Sequence, residues 1–138
     1  MEENLSIIKE IHQQFGETKN DIRAYSPLTF AYIGDAVYEM VIRTLVVEKG
    51  QQAVHALHKQ KTKIVCAATQ AAMIDALQDI MTPEEQDIFR RGKNSKINSS
   101  AKNMSLEDYR KATGFEAVFG YLYLQGQTAR IVEIVRTG

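Results

Sequence analysis

The chain is poor in the residues that staple or interrupt a fold. Its 138 residues include one cysteine and two prolines. A lone Cys66 cannot form an internal disulfide, and no cysteine and histidine stand at zinc-site spacing. No apolar run approaches the ~18 residues of a membrane span, which excludes a hydrophobic transmembrane helix and a membrane role. The N-terminal stretch MEENLSIIKEIHQQFG starts acidic and lacks the apolar core of a secretory leader, so a cytoplasmic protein is expected. Walker-type phosphate loops and dinucleotide fingerprints are absent. So are period-2 alternation, internal repeats and any composition shift that would mark a boundary. The expectation is a single all-α domain over residues 1–138, long enough to fold on its own core.

An excess of charge of either sign is missing too. Seventeen basic residues face 17 acidic ones, for a formal net charge of zero. That balance argues against a nucleic-acid binder, whose footprint is usually basic. The charges are unevenly spread, however. The stretch Phe89 to Asn103 (FRRGKNSKINSSAKN) carries Arg90, Arg91, Lys93, Lys96 and Lys102 and no acid. A weaker basic stretch holds Lys59, Lys61 and Lys63 beside His58.

What the sequence does contain reads as helices. Ser26-Pro27 offers an N-cap with proline at the first helical position, and Gly50 is the expected C-terminal stop of a helix of about 22 residues. Residues 51–80 keep apolar positions at helical spacing. Thr82-Pro83-Glu84-Glu85 has the pattern of a capping box, with Gly92 expected to end its short helix. Glycine, serine and asparagine over residues 92–103 predict a loop. Ser105, Glu107 and Asp108 start another long helix that Gly126 ends, and Gln127 to Arg136 form a last short one.

Two acids stand in apolar company. At helical spacing from Asp35 lie Leu28, Ala31, Tyr32, Tyr38 and Ile42. Glu116 lies in GFEAVFGYLYL, with Ala112, Phe119, Gly120 and Tyr123 on its face. Burying an ionised carboxylate is costly unless it is paired or bound to a metal. Both acids are therefore open to two explanations: structural pairing, for example with Arg43 or Arg110, or a shared cation. Gly34, Gly114 and Gly120 favour the second, because glycine inside a helix costs ~1 kcal/mol and small residues let two helices approach. Facing carboxylates repel, and a divalent cation such as magnesium converts that repulsion into a binding site. Glu39, one turn after Asp35, reads as a helix-edge acid.

These segments resemble a known family. FAYIGDAVYEMVI is similar to the signature helix of ribonuclease III, standing here as Tyr32-Ile33-Gly34-Asp35-Ala36-Val37. FEAVFGYLYLQG resembles the family's second acidic motif, here Glu116-Ala117-Val118-Phe119-Gly120 with Tyr123-Leu124. RRGKNSK and AKN stand where the family has a basic, glycine-rich loop. The resemblance runs from roughly residue 20 to residue 130. With no double-stranded RNA-binding domain expected after it, the chain looks like the minimal bacterial class, Mini-ribonuclease III.

The resemblance implies the helical bundle of that catalytic domain and magnesium-dependent cleavage of double-stranded RNA, leaving 5′-phosphate and 3′-hydroxyl ends. It assigns catalysis and metal binding to Asp35 and Glu116. The implied task is maturing the ends of the large-subunit (23S) ribosomal RNA precursor, with a large-subunit ribosomal protein as a candidate partner. Duplex contacts are expected from Arg90, Arg91, Lys93, Asn94, Lys96, Lys102 and Asn103. A homodimer is implied, its interface on Tyr32, Ile33, Val37 and Met40 of the signature helix. Where the family carries further acids, this chain has Leu28, Ala31 and Thr113. That thinning supports one alternative, a non-catalytic dimer that binds structured RNA or the ribosome.

Overall fold

Glycines at two helical crossings set the architecture. The structure, a computed structural model, describes residues 7–17, 20–49, 75, 77–95 and 106–137. These contain α1 (Ile7–Phe15), a 3-10 turn (Ile22–Ala24), α2 (Pro27–Glu48), α3 (Pro83–Lys93), α4 (Leu106–Leu124) and α5 (Thr128–Thr137). The fold is all-α, and no strand occurs among the described residues. Most of the stretch 51–80, including His58, Lys59, Lys61 and Lys63, lies outside the described residues, as do Gly50, Lys96, Lys102 and Asn103.

Most helix ends follow the local chemistry. The Ser26 side chain accepts from the Thr29 amide at 3.1 Å, and Pro27 occupies the first turn of α2. The capping box of α3 is complete: Thr82 Oγ1 accepts from the Glu85 amide at 3.1 Å, and Glu85 Oε1 from the Thr82 amide at 3.0 Å. Gly126, at φ 74°, closes α4. Its amide donates to the Tyr123 carbonyl at 2.9 Å and the Gln127 amide to the Leu122 carbonyl at 3.0 Å, the paired bonds of a Schellman motif. Gly92 stands in the last turn of α3, one residue before its end at Lys93. It is buried, and a Cβ there would come within 3.0 Å of both the Ala117 Cβ and the Gly114 Cα, so the same glycine also admits a close neighbour.

α4 is the central helix, with Ala112 to Phe115 and Ala117 to Gly120 all buried. α2 buries one stripe, Phe30, Ala31, Gly34, Tyr38, Ile42 and Val46, largely at four-residue steps. Where the two helices cross, a Cβ on Gly34 would stand 1.7 Å from the Glu116 carbonyl oxygen, and one on Gly120 would stand 1.9 Å from the Phe30 carbonyl oxygen. The backbones touch, and nothing larger than hydrogen fits. Next to this crossing, Tyr38, Phe115 and Phe119 form an aromatic cluster with ring centroids 4.7–5.3 Å apart. Two of the three pairs are edge-to-face, an arrangement that adds about 0.5–1.5 kcal/mol per pair beyond area burial.

α5 is tied to α3 by one ion pair. Glu85 is 3% exposed. Arg130 grips it through Nε at 2.8 Å and Nη2 at 2.7 Å, and Nη2 also donates to the Ile80 carbonyl at 2.8 Å. Burial alone would raise the Glu85 carboxyl, but the Arg130 guanidinium and the Thr82 amide outweigh it and hold the group below its ordinary value.

Two predictions follow from these contacts. Gly34→Ala should destabilise the fold by about 3 kcal/mol or more, since its methyl meets backbone atoms that cannot rotate away; a denaturant midpoint shift of that size checks it. The Glu85–Arg130 pair should support the fold above the unfolded carboxylate pKa of about 4.3 and fade as pH falls through the lower folded value. Arg130→Met should accordingly cost about 3 kcal/mol near neutral pH. Its deficit in melting temperature should narrow toward pH 3, and a pH-independent deficit would refute the linkage.

Candidate active site

Asp35 follows Gly34 on α2, and Glu116 contributes the carbonyl that Gly34 touches on α4. The helix crossing therefore brings both acids to one cleft. Both line one cleft of about 500 Å³, together with Leu28, Ala31, Tyr32, Ile33, Ala36, Tyr109 and Thr113. The cleft is an open groove between α2 and α4, and its floor is formed by small or apolar groups.

The burial expected of the two carboxylates is corrected. Asp35 is exposed and Glu116 half-buried. The reason is angular. The buried stripe of α2 passes through Ala31, Gly34 and Tyr38, and Asp35 stands one residue round from it, between the core and the exposed Tyr32. Desolvation is therefore modest, and an ionised Asp35 keeps its contact with water. Among the described residues, the structural pairing offered by the sequence does not occur for Asp35. Arg43 instead pairs with Glu39 at 3.0 Å, which places Glu39 in a helix-surface ion pair. Arg110 is exposed.

Leu28, Ala31 and Thr113, the positions that stand where further acids were expected by resemblance, all face this same cleft. Among the described residues no three histidine, cysteine, aspartate or glutamate side chains converge. The Thr113 hydroxyl is directed along its own helix, donating to the Tyr109 carbonyl at 3.0 Å. Two carboxylates, those of Asp35 and Glu116, line the cleft. Tyr109 is a lining residue that reading by motif missed. Helical spacing would have found it, since residues 109, 113 and 116 climb one face of α4.

Comparison with known proteins decides the family. Residues 28–127 match the ribonuclease III domain, a span that contains both acids and the helix crossing. The chain belongs to the ribonuclease III family. Its relatives place it in the Mini-ribonuclease 3 group, and it is an endoribonuclease. Mini-ribonuclease 3 of Clostridium tetani is 48% identical over 120 residues, covering 86% of this chain and 80% of that protein. Its counterpart from a Thermoanaerobacter species is 46% identical over 118 residues, covering 86% and 83%. The crystal structure of a Fusobacterium nucleatum protein superposes with a TM-score of 0.78 at 30% identity, over 86% of this chain and 96% of that one.

In this ribonuclease III fold the cations of the basic stretch are less free than their number suggests. Arg90 pairs with Asp87, and Lys93 with Glu107 at 3.3 Å. Arg91 and Asn94 are exposed at the C-terminal end of α3. A second surface is apolar. Ile33, Val37, Met40 and Val41 of α2 join Ile7, Tyr123, Ile131 and Val132 around a groove of about 390 Å³. Met40 is 57% exposed and Tyr32, at the edge of the acidic cleft, 83%.

Proposed function

We propose that this chain cuts both strands of a duplex RNA at the cleft between α2 and α4, using magnesium held by Asp35 and Glu116. The observation that carries the reading is the placing of both carboxylates on one open cleft by a backbone contact that only glycine permits. The donor set fits magnesium, which is commonly bound through one or two carboxylates, with waters and substrate phosphates completing its shell. When bound, the ion supplies Lewis-acid activation of water and charge stabilisation at the leaving oxygen. In the hydrolysis, a water oxygen joins phosphorus, the bond from phosphorus to the 3′ oxygen breaks, and that oxygen takes a proton. The products are a 5′-phosphate and a 3′-hydroxyl. Asp35 and Glu116 act as fixed anionic ligands.

Duplex RNA presents phosphates and 2′-hydroxyls across a shallow minor groove, so it is recognised by shape and charge. Arg91 and Asn94 are placed for such contacts, and Arg90 and Lys93 join them by exchanging their intramolecular partners for phosphate. Lys96, Lys102 and Asn103 of the same basic stretch complete the set in this reading. A second copy of the chain packs against the apolar groove through Tyr32, Ile33, Val37 and Met40. Dimerisation gives one duplex two cleavage centres and two weak basic surfaces, which gain by multivalency. By its likeness to Mini-ribonuclease III we assign the substrate to a 23S ribosomal RNA precursor stem in the cytoplasm, with a large-subunit ribosomal protein as candidate partner. The domain is read as one unit over residues 1–138.

One observation favours a second reading. Three cleft positions, Leu28, Ala31 and Thr113, lack carboxylates, as a duplex-binding protein without cleavage would show. A single assay separates the two. Labelled duplex RNA should be cut with magnesium and spared with chelator. Asp35→Asn should abolish cutting, leave duplex binding in place and move stability by no more than about 0.5 kcal/mol, because Asp35 is exposed. Cutting by Asp35→Asn at saturating magnesium would reject the assignment, and binding without cutting by the parent chain would establish the second reading. For the assembly, Met40→Lys should convert a two-copy species to a one-copy species in sedimentation and lower cleavage at dilute enzyme. A parent chain that sediments as one copy would refute the dimer.

A further inference from the structure

Tyr109 is the half-buried phenol of the acidic cleft. It stands on the first turns of α4 and lines the cleft with Asp35 and Glu116. Its carbonyl accepts from Thr113, but among the described residues its hydroxyl has no hydrogen-bond partner. A tyrosine hydroxyl taken part-way out of water ordinarily finds one. The Tyr121 hydroxyl, on the same helix, donates to Glu84 at 3.1 Å.

Resting on the reading of the cleft as the RNA-cutting site, we infer that the Tyr109 hydroxyl donates a hydrogen bond to the sugar-phosphate backbone at the scissile linkage. The geometry and the charge both favour this. The bases of a duplex are stacked inward, so a cleft side chain reaches phosphate oxygens and 2′-hydroxyls and not base faces. Asp35 and Glu116 repel an approaching phosphate, and the remaining lining side chains, Leu28, Ala31, Tyr32, Ile33, Ala36 and Thr113, add no cation. A phenol hydroxyl is an uncharged hydrogen-bond donor. It grips the phosphate without competing with the carboxylates for a metal and without neutralising them, as a lysine would. Tyr109 is also two helical turns before Glu116, so one rigid helix fixes the spacing between the donor and the metal-binding acid.

Tyr109→Phe removes the hydroxyl and keeps the ring. The parent chain must cut duplex RNA with magnesium; if it does not, the reading of the cleft fails, and that failure is separate from the role of Tyr109. Given a cutting parent, Tyr109→Phe should slow single-turnover cleavage at saturating RNA about tenfold, the size expected for losing a hydrogen bond to a charged group. Its melting temperature should stay at the parent value. Replacing one non-bridging oxygen of the scissile phosphate with sulfur should slow the parent more than the variant, because sulfur is a poor acceptor and the variant has already lost the donor. Full activity of Tyr109→Phe would overturn the inference. A slowed variant with an unchanged sulfur effect would also overturn it, by making Tyr109 a packing residue.

Discussion

The contact between the Gly34 backbone and the Glu116 carbonyl is the constraint on which the site depends. It joins the two motif helices at zero side-chain thickness, so the spacing of Asp35 and Glu116 is set by main-chain geometry and not by side-chain packing. Rotamer changes in the core cannot move such a joint. Glycine inside a helix carries a cost of about 1 kcal/mol, and α4 accepts it twice, at Gly114 and Gly120. The surrounding aromatic cluster of Tyr38, Phe115 and Phe119 offsets part of that cost by locking the crossing from one side.

The two helices divide the work of folding and of function unequally. α4 is enclosed nearly all round, and Glu116 interrupts its buried surface at the edge of the cleft. α2 gives only one stripe to the core and leaves apolar side chains such as Tyr32 and Met40 outside it. An acid at the boundary between stripe and surface escapes the desolvation that a core position would impose. Asp35 has that position, which reconciles an ionised carboxylate with an apolar neighbourhood.

Much of this was legible in the sequence because the local signals are chemically strict. Ser26-Pro27, the capping box at Thr82 and the glycine stop at Gly126 each satisfy orphan backbone groups in one way, and the helices start and end there. Gly34 and Gly120 correctly indicated the close approach of α2 and α4, whereas Gly114 faces Phe89 of α3. Gly92 marks the end of α3 to within one residue, but its second role, admitting a neighbour, shows only through the facing residues Gly114 and Ala117. Burial of Asp35 was overestimated for a related reason. Helical spacing links it both to the core residues Ala31 and Tyr38 and to the exposed Tyr32, and the sequence alone does not say which side wins. The ion pairs of Arg90 and Lys93 depend on side-chain reach, and Tyr109 carries no motif of its own.

The glycine contact between α3 and α4 has a consequence for how distance is handled along a nucleic acid. A Cβ on Gly114 would lie 2.6 Å from the Phe89 carbonyl oxygen, and Gly92 is packed as tightly against the same helix. The end of α3 that carries Arg90, Arg91 and Lys93 therefore has no slack relative to the helix that carries Glu116. Under the proposed function, the basic end of α3 and the acidic cleft share one stiff frame, and such a frame would serve as a gauge: where a duplex is held would determine where it is cut.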